Sequence, residues 1–131
     1  MLRTAFALML TLAACAQDET LSGYAGVGST WQLTSLDGDA WAHPGTLEFP
    51  EAGQITGQAP CNRYFASVDA PYPWLTLGPI GATRMACPDL AAETQFFEAL
   101  SAMTIAEVTG DVLILTNDAG REMVFDRIAA P

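Results

Sequence analysis

Beyond position 29, hydrophobic residues recur mostly at every second position. Between Thr30 and Leu36 the residues Trp31, Leu33 and Ser35 alternate with Thr30, Gln32 and Thr34, the period of a strand with one face buried. Asp37-Gly38 ends that strand as a turn. Leu47 and Phe49 alternate with Thr46, Glu48 and Pro50, and Glu51-Ala52-Gly53 connects them to a partner strand over 54–57. Residues 63–69 put Tyr64, Ala66 and Val68 on one face and Phe65 and Ser67 on the other, until Pro71 and Pro73 stop the run. A short strand at 74–77 follows. Three more, at 105–109, 112–116 and 122–128, are joined by Gly110-Asp111 and by residues 117–120 into a meander. One stretch breaks the alternation: Pro88 and Asp89 suit a helix start, and up to Met103 the residues Leu90, Phe96, Phe97, Leu100 and Met103 share one helical sector. The pattern predicts a β-rich α+β domain, with about eight short strands in a curled or barrel-like antiparallel sheet and one packed helix.

The first residues follow a different rule. Met1-Leu2-Arg3 supplies a positive start, and residues 5–14 are small or apolar except for Thr11, as in the hydrophobic region of a signal peptide. Ten helical residues rise about 15 Å, half the hydrocarbon thickness, which disfavours a spanning anchor. Leu12-Ala13-Ala14-Cys15 resembles the lipobox of bacterial lipoproteins. That resemblance implies removal of residues 1–14 and acylation of Cys15, so that the membrane is engaged through an N-terminal lipid. An ordinary cleavage site is the rival reading, since Ala14-Cys15-Ala16 also fits the small-residue rule. Ala16, where Asp would mark inner-membrane retention, implies by the same resemblance an outer-membrane location facing the periplasm. Residues 15–29, rich in Gly and Ser, read as a flexible tether, leaving 30–128 as the folded domain.

Charge narrows the partners. Fifteen Asp and Glu against five Arg give a net charge of -10, which weighs against nucleic acid as a partner. The 131 residues suit one domain, expected to be monomeric. With Cys15 assigned to lipid, Cys61 and Cys87 remain as an even pair in an oxidising compartment, where a disulfide is the default. A nucleophilic Cys61 or Cys87 activated by His43, the only histidine, is the functional alternative.

Glu93 falls inside the apolar sector of the helix, so its carboxylate needs a donor or a cation, and Arg63 and Arg84 are the candidates. The structural reading is a buried brace; the functional one is a catalytic acid, for which no second carboxylate is placed. No nucleophile elbow, P-loop, dinucleotide fingerprint or zinc-binding helix motif occurs, so neither enzymatic activity nor a cofactor or metal is expected. Asp37, Asp39 and Asp118 read as solvated turn residues. Trp31, Trp41, Trp74, Tyr64, Tyr72 and Phe65 read as core or cross-strand pairs, with a ligand groove as the alternative.

Residues 57–66, the run Thr83-Arg84-Met85-Ala86-Cys87, and Glu93 to Leu100 together resemble the META-domain family of HslJ-like bacterial lipoproteins, over about residues 29–127. The resemblance implies a compact β-rich fold with one helix, frequent export or lipidation, links to envelope stress, and no established enzymatic activity. Cys61-Asn62 and Thr83 to Cys87 are its specific parts. Asn62 and Thr83 are expected to hold backbone turns, with ligand contact as the alternative. The function expected is a lipid-anchored, stress- or assembly-related binding module with an envelope protein as partner. The alternative is a carrier of a small apolar ligand inside a β-barrel cavity.

Overall fold

The computed structural model describes residues 15–131, and the expected signal peptide, 1–14, lies outside the described residues. The elements are α1 (Leu21–Ala25), β1 (Thr30–Leu36), β2 (Asp39–Ala40), β3 (Thr46–Glu48), β4 (Gln54–Gln58), β5 (Arg63–Asp69), β6 (Thr76–Leu77), β7 (Gly81–Ala82), α2 (Leu90–Ala102), β8 (Ile105–Thr109), β9 (Val112–Thr116) and β10 (Glu122–Ala129). All strand pairs are antiparallel, in the order β6-β5-β4-β3-β1-β10-β9-β8, with β2 on β1 and β7 on β5. The two ends of this order meet: Trp74 bridges Ile105, Leu75 N–H donates to Thr104 O at 2.9 Å, and Ala106 N–H donates to Pro73 O at 2.8 Å. The sheet therefore curls onto itself and leaves little open edge.

Alternation along the strands explains the curl. In β5 the residues Tyr64, Ala66 and Val68 point inward while Arg63, Phe65, Ser67 and Asp69 stay exposed, as the period of two requires. Trp31, Phe49, Phe96 and Phe125, all fully buried, fill the interior together with Tyr64. Two glycine positions depend on backbone freedom or space. Asp37 (φ 50°) and Gly38 (φ 86°) both take left-handed geometry, as the two-residue β1–β2 hairpin demands. At Gly57 an added Cβ would lie 2.1 Å from Thr46 O and 2.7 Å from the Tyr64 ring.

Helix α2 packs on the sheet through Phe96, Ala99 and Leu100, with Phe97 half-buried. Leu90 departs from the expected sector. It is the first residue of α2 and is exposed, lining a cleft with the 80–86 segment instead of packing in the core. Among the described residues, no helix is long and apolar enough to cross a membrane.

Residues 20–29 correct the tether expected from composition. Leu21 and Ala25 in α1 are buried in the core, and Ser29 accepts the Trp31 indole N–H at 2.8 Å. Asp18 organises the entry: its carboxylate accepts the Thr20 N–H at 3.0 Å, the Thr20 hydroxyl at 2.6 Å and the Ser22 hydroxyl, while Ser22 Oγ accepts Gly53 N–H at 2.9 Å. Small polar residues here satisfy backbone and pack tightly instead of solvating a linker. Composition alone does not separate the two uses.

Candidate functional site

Three segments converge where α2 begins: the turn before β5, the chain after β7, and the first half of the helix. Glu93 joins the first to the third. Its Oε1 accepts Cys61 N–H at 3.1 Å and Asn62 N–H at 2.7 Å, and its Oε2 accepts the Asn62 side-chain amide at 2.7 Å. Both residues are buried, so these bonds replace the water each group lost.

Asn62 joins the first segment to the second. Its Oδ1 accepts Met85 N–H at 2.6 Å and the Thr83 hydroxyl at 3.0 Å, and its Nδ2 donates to Met85 O at 3.4 Å as well as to Glu93. The amide thereby uses two donors and two acceptor sites, its full capacity. Thr83 Oγ1 in turn accepts Arg63 N–H at 3.2 Å, and Thr83 N–H donates to Arg63 O at 3.0 Å. Asn62 and Thr83 thus bond backbone on neighbouring segments, extending the local-turn role expected of them.

The Cys61–Cys87 disulfide, with Cα atoms 6.1 Å apart, ties the same two segments covalently. It replaces the thiol reading, because neither sulfur remains a thiol. His43 lies elsewhere, its Nδ1 3.9 Å from Asp89 Oδ1 and its ring edge-on to Trp41. Cys15 is a free, exposed thiol.

The cation expected for Glu93 is not there. Arg63 pairs with Glu48 at 3.3 Å, and backbone amides of the 61–62 turn take the place of a guanidinium at Glu93. Arg121 pairs with Asp37 at 2.9 Å and Arg127 with Asp111 at 3.1 Å. Asp37 is thus a paired hairpin residue: hydrogen bonds from the Arg121 side chain and the Glu122 backbone hold its carboxyl below the ordinary aspartate value.

Over this knot lies an open cleft of about 800 Å³. One wall is the extended segment 80–86; the other is the α2 stripe Leu90, Glu93, Phe97 and Ser101, spaced to share a helix face. Asn62 and Glu93 form its floor, Met85 and Leu90 expose apolar surface at its rim, and Arg84 stands there with no ion-pair partner among the described residues. The sequence points to Asn62, Thr83 and Glu93 but not to the cleft above them, for which the helical spacing of 90, 93, 97 and 101 is the available signal.

The aromatic residues separate. Trp31 and Tyr64 are core; the Tyr64 hydroxyl donates to Thr46 O at 2.6 Å, and burial pushes its phenol above the ordinary range. Phe65 and Trp74 are exposed, while Tyr72 stacks on Tyr24. Trp41 packs against Phe96, so the six form no single groove. Among the described residues, no three His, Cys, Asp or Glu side chains converge as metal ligands.

A family model described as META domain matches residues 19–130. No curated protein matches the sequence. Among solved structures, an NMR structure of a protein from Burkholderia xenovorans is 26% identical, with 93% of this chain and 98% of that chain covered and a TM-score of 0.63. A second NMR structure is 22% identical, covering 75% and 87%, with a TM-score of 0.59. A crystal structure of a DUF4847 family protein from Bacteroides vulgatus is 13% identical, covers 81% and 96%, and has a TM-score of 0.62. The last two show likeness of fold alone.

Proposed function

The chain belongs to the META-domain family, and from that premise we propose that it is a lipid-anchored, non-enzymatic envelope protein, a binding module that engages a protein partner at the 80–86/α2 cleft during stress or assembly. One observation carries the binding reading. The polar groups on the cleft floor are consumed in holding the chain together: Glu93 accepts three N–H donors and Asn62 makes all four of its bonds. A general acid must be free to exchange its proton with a substrate, and a carboxylate so engaged is poorly disposed to do so. The shaped, partly apolar wall above remains for contact.

The anchor reading rests on Cys15 and on where the fold begins. Asp18 is already bonded into the domain, so three extended residues, about 10 Å, would separate a lipid on Cys15 from the folded surface. The domain would sit against an outer-membrane surface on the periplasmic side. The carrier alternative fares worse, because Trp31, Phe49, Tyr64, Phe96 and Phe125 occupy the interior that an apolar ligand would need.

Two measurements test the proposal. Intact mass of the membrane-extracted protein should give a mature chain beginning at Cys15 with acyl chains attached; an unmodified Cys15 removes the anchor. A photo-crosslinking residue replacing Leu90 should capture a partner in intact cells, while the same residue replacing exposed Gln54 should not. Equal capture at both positions, or none at position 90, removes the cleft as the contact site.

A further inference from the structure

The backbone along the cleft is half satisfied, and the pattern has a direction. Thr83 N–H donates to Arg63 O, and Met85 has both its N–H and its C=O bonded to Asn62. Arg84 and Ala86 lie between and beyond them, and their backbone groups have no partner among the described residues. In an extended segment, alternate residues direct N–H and C=O to opposite sides. Residues 83 and 85 face the knot; 84 and 86 face away from it. Just beyond the end of β7, the chain therefore presents unpaired backbone groups on the side away from the knot, in a domain whose two sheet ends meet each other.

The opposite wall matches what such groups would receive. Leu90 and Phe97 stand two helical turns apart, roughly 10 Å, which is about the span of three residues of an added strand. Both are apolar, and Leu90 and Met85 are 45% and 61% exposed, so apolar side chains from a guest would remove surface that water now covers. Charge adds the third requirement. The chain carries a net charge of -10, and of the described arginines Arg63, Arg121 and Arg127 each face a carboxylate of the same chain while Arg84 faces none. An anionic group is the complement that this cation lacks.

We propose that the cleft takes an extended segment of a partner protein, added as a strand along residues 84–86, with apolar side chains against Leu90 and Phe97 and a carboxylate on Arg84. The recognition is of the strand-addition kind: main-chain bonds give affinity and the wall pockets give selectivity. This rests on the cleft being the contact site, and it adds the chemistry of the partner.

The test uses the isotopically labelled domain and two synthetic peptides, acetyl-Thr-Val-Thr-Val with a free C-terminal carboxylate and the same peptide amidated. NMR titration should move the amides of Arg84, Ala86 and the 90–97 stretch, with the amidated peptide binding about tenfold more weakly. In Arg84→Gln, an exposed substitution, the two peptides should bind alike. The proposal is overturned by silence at millimolar peptide, by shifts confined to other faces, or by equal binding of both peptides to the unaltered protein. Octanoate shifting the same amides while the peptides stay silent would also overturn it, in favour of a small amphiphile. If crosslinking at position 90 persists while the peptides fail, strand addition falls and the binding-module reading stands.

Discussion

Glu93 accepts the backbone N–H of Asn62 at 2.7 Å across 31 positions of chain, and the same Asn62 turns its side chain to the other carboxylate oxygen at 2.7 Å. One carboxylate so fixes where α2 starts relative to β5. Through Asn62 and Met85 it also fixes the extended wall of the cleft. The disulfide duplicates this connection one residue away on the chain. The wall is held from below, which leaves its upper side free.

Glu93→Gln should destabilise the domain by about 2 kcal/mol, since the new NH₂ would face the Asn62 NH₂ and leave buried donors unmatched. Urea unfolding checks this: the midpoint should fall with the slope unchanged. An unchanged midpoint would mean that the knot is not what holds α2.

Replacing both bridge residues, Cys61→Ser with Cys87→Ser, should lower stability by up to roughly 3.5 kcal/mol, because the bond closes a loop with a sequence separation of 26. Unfolding with and without reductant should show the same loss in the native protein and none in the double variant.

Asp37→Asn keeps a residue that tolerates the left-handed geometry at φ 50° and removes the ion pair with Arg121. The folded carboxyl is held below its ordinary value of 3.8, so its contribution is fully present above that pH and is lost as pH falls through the lowered folded value. The pair is largely exposed, so the stability difference between the two proteins should be no more than about 1 kcal/mol at neutral pH. Denaturation measured from neutral pH downward should show that difference shrinking only at the acid end.

Leu21→Ala should cost about 2–4 kcal/mol if α1 is part of the core, and almost nothing if residues 20–29 were a linker. Thermal unfolding separates the two outcomes directly. Removal of residues 15–28 should destabilise the domain further.

Strands were legible because their rule is local. The faces of β5, the β8–β10 meander and the Asp37-Gly38 hairpin follow from alternation and turn chemistry within a few residues. Glu93 was legible as an anomaly, a carboxylate in an apolar sector, yet its partner was not. Side-chain charge suggested an arginine, whereas two of the three donors are backbone amides, which every residue carries and no sequence distinguishes, and the third is the neutral side-chain amide of Asn62.

Residues 20–29 and Leu90 mark the same boundary. Gly- and Ser-rich composition cannot tell a linker from a tightly packed entry, and an apolar residue in a helix does not say whether the sheet extends beneath it. By itself the sequence determined the longer strands and the long helix, most of the faces they bury, and the cysteines left to pair, since these depend on neighbours along the chain. Only the tertiary structure decided where the two ends of the curled sheet meet, the donors around Glu93 and the cleft above them, because each arises where segments far apart in sequence come together.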